Sequence, residues 1–282
     1  MSVGPVSMLQ SPEDSLGLLT TGSGLPATVF AHGLAGSIET TRPFGSGVTG
    51  SRTFFNFRGL GVPAAARSPW TYPALAEELR AAADHVGAGQ ALGVSMGAGA
   101  LCTLLARTPL RFERLVFVLP SVLDRARADA LADRMVAMAQ CVDDRDEDAL
   151  THLLLEGEPA SVRSQPAVQH WCRRQAGALV GTAVSTAMRA LPKQVPLSDR
   201  AELAAVTVPA LVIAQEGDPA HPVRVAEQLA AALPGAHLEV MAPGGILWRH
   251  RARMRELVGG FLSAGPPRQG APRSQPIGGR QD

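Results

Sequence analysis

Gly93-Val94-Ser95-Met96-Gly97 is a G-x-S-x-G pentapeptide. In that pattern a strand ends, the chain turns sharply into a helix, and two small residues relieve crowding around a serine lifted above the sheet. The flanks agree: Ala91-Leu92-Gly93-Val94 reads as strand, and Met96-Gly97-Ala98-Gly99-Ala100-Leu101 as the small-residue start of a helix. Ser95 is the candidate nucleophile; the plainer alternative is a Gly-rich packing turn with a spectator serine. Attack by a serine on an acyl group creates an oxyanion, which needs preorganised N–H donors. The Met96 N–H follows the serine directly. His32-Gly33-Leu34-Ala35-Gly36, after an apolar run at 27–31, offers that of Leu34. His32 itself reads as a support for this loop.

A serine nucleophile also needs a base and an acid that orients it. Gln215-Glu216-Gly217-Asp218-Pro219-Ala220-His221-Pro222 follows an apolar run at 210–214, and Asp218 on this turn is the candidate acid. Its bland alternative is an Asx-type turn capping its own loop. Asp124 is the second choice, although it looks like the N-cap of a helix. Among the 7 histidines, His250 is assigned as the base, at the end of Met241-Ala242-Pro243-Gly244-Gly245-Ile246-Leu247-Trp248-Arg249-His250. That assignment needs a long loop at 242–248 that turns the ring back between Ser95 and Asp218. Two alternatives stay open: that no histidine completes the site, or that His221 does, beside the acid but in a turn between Ala220 and Pro222 that would have to reach across the site. His85 sits at a helix C-terminus favoured by the dipole, His237 opens a strand, and His152 and His170 lie in helical segments.

The elements that must position these residues follow from periodicity. Apolar, β-rich runs recur at 27–31, 53–57, 90–94, 115–119, 210–214 and 237–241, with helical patterns at 72–85, 96–106, 222–233 and 248–262. Alternation of nearly continuous apolar strands with helices predicts an α/β fold, a doubly wound, mostly parallel sheet covered on both faces. Residues 121–204 break the rhythm, with helical patterns at 124–142, 146–156, 167–180 and 182–191 and no strand between them. The organisation expected is a core in two parts, 1–120 and 205–264, a helical cap at 121–204, and a disordered Pro- and Gly-rich tail at 265–282. Cap side chains Val122, Leu123, Met135, Leu154 and Trp171 are the candidates for binding a small or medium, mainly apolar substrate.

Composition narrows the chemistry. Lys plus Arg is 26 and Asp plus Glu is 25, for a net charge of +1 and 18% charged residues. That balance excludes a strongly basic nucleic-acid binder. Three cysteines with no CxxC pair support neither a zinc site nor a disulfide framework, and predict a reducing compartment. No secretory start and no run of 18 apolar residues is visible, so a cytoplasmic protein without a membrane span is expected. Asp144, Asp146 and Asp148 alternate like a calcium loop but lack its glycine and twelfth-position glutamate. Arg249, Arg251, Arg253 and Arg255 point to opposite sides of a helix and make no phosphate-tracking stripe. No G-x-G-x-x-G stands in the glycine-rich window, and no P-loop exists.

The segment His32–Ser37, the elbow Gly93–Gly97, the loop Gly217–Pro222 and the turn Phe57-Arg58-Gly59-Leu60-Gly61 together resemble the α/β-hydrolase superfamily over residues 25–262. The resemblance implies an eight-stranded sheet, a helical cap, and hydrolysis of an ester or related bond through an acyl-enzyme without metal or organic cofactor. It also implies the chain order Ser95, Asp218, then a late histidine. Two departures stand out. The N-terminal strands read as short or missing, and a gap-free alignment puts Ile246 where the family has its histidine. Two other functions remain open: an impaired hydrolase-fold protein that binds a ligand or partner, and a lyase or transferase on the same fold. Oligomeric state is not legible.

Overall fold

The computed structural model describes residues 7–10, 15–57, 69–126 and 131–264, with side chains from residue 16 onward. The strands are β1 (Ser7–Gln10), β2 (Ser15–Thr21), β3 (Ala27–Ala31), β4 (Ser51–Phe55), β5 (Gln90–Val94), β6 (Arg114–Val118), β7 (Ala210–Gln215) and β8 (Ala236–Met241). The helices are α1 (Ile38–Thr41), α2 (Tyr72–His85), α3 (Met96–Arg107), α4 (Leu131–Asp144), α5 (Glu147–Gly157), α6 (Pro166–Leu179), α7 (Val184–Ala190), α8 (Val223–Ala232) and α9 (Arg251–Ser263). The proposed tail at 265–282 and most of the turn 57–61 lie outside the described residues.

The strands form one eight-stranded sheet in the order β1-β2-β4-β3-β5-β6-β7-β8. β2 runs antiparallel to both β1 and β4, and every other pairing is parallel. The N-terminal strands, expected to be short or missing, are present, β1 as a short strand of 4 residues and β2 with 7. β1 and β2 form an antiparallel pair at the edge of the sheet, and β2 buries Leu16, Leu18 and Leu19.

Strands buried on both faces explain the unbroken apolar runs. Side chains alternate between the two faces with period two. Val29, Ala31, Ala91, Leu115, Phe117, Ala210 and Val212 join one core with Leu75, Leu101 and Leu229 of α2, α3 and α8. Phe30, Leu92, Val116, Val118, Leu211 and Ile213 join a second core with Ile38 of α1 and Met254, Val258 and Leu262 of α9. Between β6 and β7 the chain inserts α4 to α7, which bury their own cluster of Met138, Ala139, Val142, Leu150, Ala176, Val184 and Met188. Arg125 and Ala126, which follow Asp124, are not helical, so Asp124 is not a helix N-cap. Instead the Asp124 carboxylate takes a bidentate pair of hydrogen bonds from Arg200, both at 2.8 Å, where the chain leaves the insertion.

The strand order changes direction at β3. The next strand, β4, lies on one side of it and β5 on the other. In open α/β sheets a crevice opens at such a switch, beyond the C-terminal strand ends. The loop after β3 and the turn after β5 flank that crevice.

Candidate active site

Ser95 sits on the turn from β5 to α3 with φ +50° and ψ −105°, a conformation L-residues seldom adopt. Its two glycine neighbours explain how the turn fits. A Cβ on Gly93 would lie 2.5 Å from the Gly97 carbonyl oxygen, and one on Gly97 would lie 2.5 Å from that of Ala31. Both obstacles are backbone, so no side chain can be accommodated. The Ser95 N–H donates to the Val118 carbonyl at 2.9 Å, anchoring the strained residue to β6.

A continuous chain of hydrogen bonds starts at this serine. Ser95 Oγ is 2.9 Å from His221 Nε2, and His221 Nδ1 is 2.9 Å from Asp218 Oδ2. The carboxylate only accepts, so the proton lies on Nδ1, and Nε2 is left to accept from the serine hydroxyl. The Asp218 Oδ1 accepts from the backbone N–H groups of Ala220 and His221 at 2.9 and 3.1 Å. Burial opposes ionisation of this carboxyl. The His221 ring and the two N–H groups outweigh it and hold the Asp218 pKa below the ordinary carboxylate range.

The assignment of His250 as the partner of Ser95 is contradicted. Gly244 at φ +140° and Gly245 at φ +81° lead straight into a π-helical turn over Gly245–Arg249, which continues into α9. There is no long loop to bring the ring back. His250 opens α9 with its Nε2 buried and without a hydrogen-bond partner among the described residues. Ile246, where the family has its histidine, is packed in the second core at 6% exposure. His221 has a signal legible in the sequence. In Asp218-Pro219-Ala220-His221-Pro222 the Asx turn occupies one carboxylate oxygen with backbone and aims the other at an imidazole three residues on. The Asx-turn alternative and the orienting role are thus the same structure.

The loop after β3 lies against the serine: a Cβ on Gly33 would be 3.3 Å from Ser95 Cβ. The buried His32 braces it. Its Nε2 accepts from the Phe57 N–H at 3.0 Å, so Nδ1 carries the hydrogen and donates to the Gly33 carbonyl at 2.7 Å. Burial depresses the His32 pKa to about 4 and keeps the ring neutral. Met96 is the first residue of α3, where helix N–H groups lack an intrahelical acceptor. Leu34 and Met96 thus stand on the two elements that flank Ser95.

The five candidate binding side chains divide. Leu123, 2% exposed, is buried in the same core cluster as Met96, and the partly buried Val122 and Leu34 both pack against that cluster. Met135 is partly buried against the cluster of the inserted helices, which Leu34 and Ala35 also contact. Leu154 bridges that cluster to a smaller one of Val162, Val168 and Cys172. Trp171 meets Trp248 edge to face at 5.9 Å, and the Trp248 indole N–H donates to Glu158 at 2.7 Å. Burial raises the Glu158 pKa above the usual carboxylate range despite that bond. Asp124, the second-choice acid, is committed to Arg200. Cys102 and Cys172 are pushed up to about 12 by burial, which makes neither a nucleophile. Among the described residues no group of His, Cys, Asp and Glu has metal-ligand geometry. None of the described helices is long and apolar enough to cross a membrane.

A parallel-cored sheet with a strained serine between β5 and α3 and an imidazole–carboxylate pair after β7 defines an α/β-hydrolase type of site. The sequence profile of the Alpha/beta hydrolase family matches residues 28–258, and the chain belongs to that family. Solved structures agree on the fold. A hydrolase from Pseudomonas aeruginosa superposes with a TM-score of 0.72 at 23% identity, covering 93% of this chain and 100% of that one. An esterase from Exiguobacterium antarcticum gives a TM-score of 0.76 at 17% identity, with 92% and 100% covered. The enol-lactonase from Burkholderia xenovorans gives 0.72 at 20% identity, with 89% and 97% covered. Among curated protein sequences there is no significant match.

Proposed function

We propose that this protein is a serine hydrolase that cleaves an ester or related acyl bond through an acyl-enzyme on Ser95. One observation carries the reading: the unbroken path Ser95 Oγ, His221 Nε2, His221 Nδ1, Asp218 Oδ2, with both hydrogen bonds at 2.9 Å. His221 takes the serine proton as Oγ attacks the carbonyl, and Asp218 holds the ring in that tautomer and stabilises the imidazolium. The Leu34 and Met96 N–H groups receive the oxyanion. His221 then protonates the leaving alcohol, and a water activated by the same ring releases the acid and restores Ser95. No metal or organic cofactor enters these steps. The impaired-fold alternative requires a serine with no imidazole in reach, and the His221 contact speaks against it.

The partly buried apolar side chains of the cap, Met135, Leu154 and Trp171, favour a small to medium acyl ester with little charge. The esterase and lactonase among the structural neighbours are consistent with that class. The test is intact-mass analysis after exposure to a fluorophosphonate. Wild type should gain one phosphonyl group, and Ser95→Ala none. Acid quenching during turnover of a p-nitrophenyl ester should trap the acyl adduct on wild type only. An unlabelled wild type, or a labelled Ser95→Ala, refutes the mechanism.

A further inference from the structure

The loop that carries the Leu34 donor is tied to the cap by a side chain far away in sequence. Gln175, on α6, donates its Nε2 to the Ala35 carbonyl at 3.0 Å. Ala35 has φ +60° in the turn Gly33–Gly36, closed by the Gly36 N–H on the Gly33 carbonyl at 2.9 Å. A positive φ at the third residue of a turn is the place of glycine in type II geometry. An alanine there holds its conformation only when its surroundings enforce it. The cap supplies that restraint: the hydrogen bond from Gln175, and the packing of Leu34 and Ala35 against the cluster around Met138, Ala176 and Leu179.

The order of the bonded groups matters more than the tie itself. The Ala35 carbonyl and the Gly36 N–H belong to one peptide unit, and the Gly33 carbonyl and the Leu34 N–H to another. The chain therefore reads Gln175 N–H to Ala35 carbonyl, Gly36 N–H to Gly33 carbonyl, and then the Leu34 N–H. Each donated hydrogen bond polarises the peptide it enters and strengthens the next donor. His32 feeds the second peptide as well, through its 2.7 Å bond to the Gly33 carbonyl.

We propose that Gln175 is a positioning residue that orients and polarises the Leu34 oxyanion donor from the cap, so that the cap contributes to rate as well as to substrate selection. The inference rests on the serine-hydrolase reading. Trp171 and Gln175 are one helical turn apart on α6 and so share a face. One cap helix therefore touches both the loop after β3 and, through Trp248, the segment after β8.

The test compares wild type with Gln175→Leu, which keeps bulk without a donor, and Gln175→Glu, whose carboxylate faces the Ala35 oxygen. Substrate is a short p-nitrophenyl ester, and a trifluoromethyl ketone, whose adduct places an oxyanion in the hole, serves as inhibitor. Deleting a direct oxyanion donor costs about 10²–10³ in kcat. A residue acting through two peptides should cost about 10-fold in Gln175→Leu and more in Gln175→Glu. KM should change less than about twofold, and the ketone Ki should rise in step with the loss of kcat, as transition-state positioning demands. Amide hydrogen exchange at Gly36, read in the same folded samples, should accelerate about fivefold or more as the turn loosens. Unchanged kcat and Ki in a folded Gln175→Leu overturn the proposal, as does an effect confined to KM. A wild type without turnover or fluorophosphonate labelling overturns the hydrolase reading. Gly36 exchange then still reports on the tie, and unchanged exchange refutes it.

Discussion

Exchanging the two competing histidines gives the sharpest prediction. His221→Ala removes the group that accepts the Ser95 proton and the group that Asp218 orients. Loss of a general base costs about 10²–10⁴ in rate, equivalent to about 3–5 kcal/mol of barrier at 1.36 kcal/mol per decade. The structure predicts a much smaller effect on stability. Two side-chain hydrogen bonds disappear at about 1 kcal/mol each, while Asp218 keeps its two backbone donors. At about 2–4 °C per kcal/mol for a chain of this size class, Tm should drop by about 4–8 °C. His250→Ala gives up no hydrogen bond at Nε2, and its activity should stay within about twofold of wild type. The assay is hydrolysis of p-nitrophenyl acetate and butyrate on folded protein, with melting curves run in parallel. A His221→Ala enzyme keeping more than about a tenth of wild-type kcat/KM, or a His250→Ala enzyme losing about a hundredfold, would refute the assignment of His221 as base.

Three further outcomes follow from the same geometry. Gly97→Ala puts a Cβ against the Ala31 backbone at 2.5 Å; overpacking of this kind costs about 1–3 kcal/mol or more, so denaturant melts should show a large loss of stability and esterase assays a loss of turnover. Asp218 has a depressed pKa, so its contribution to stability is present above the unfolded carboxylate value of about 3.9 and is lost as pH falls through its lower folded value. In urea titrations wild type should therefore exceed Asp218→Asn near neutrality, and the gap should close at acidic pH. A constant gap would be contrary to that linkage. Trp248→Phe keeps an aromatic ring against Trp171 but strands the Glu158 carboxylate without its 2.7 Å donor. It should destabilise by about 1–3 kcal/mol, and adding Glu158→Gln should recover part of that loss in the double variant.

Much of this protein was legible in sequence because the relevant physics is local or periodic. Strands buried on both faces must be apolar throughout, so 27–31 and 90–94 match β3 and β5 to the residue, and the pattern at 72–85 matches α2. The elbow was legible for a related reason. Gly93 and Gly97 are required by backbone atoms within a few residues or on the adjacent β3, and no substitute fits. Ser95 and Asp218 each follow a recognisable strand. Even the His221–Asp218 contact was within reach, since an Asx turn and a three-residue spacing define it locally.

What tertiary structure decided is which of two histidines meets Ser95, 126 residues from His221 in the chain. Spacing past β8 could not show that Gly244 and Gly245 start a π-helical turn at once, burying Ile246 and carrying His250 into α9. The tie from Gln175 to Ala35 spans 140 residues, and the pairing of Asp124 with Arg200 spans 76. Such contacts have no periodic or turn signature. They exist because the sheet closes in one order and the four-helix insertion packs back over it, which brings together polar groups whose partners the sequence alone does not name.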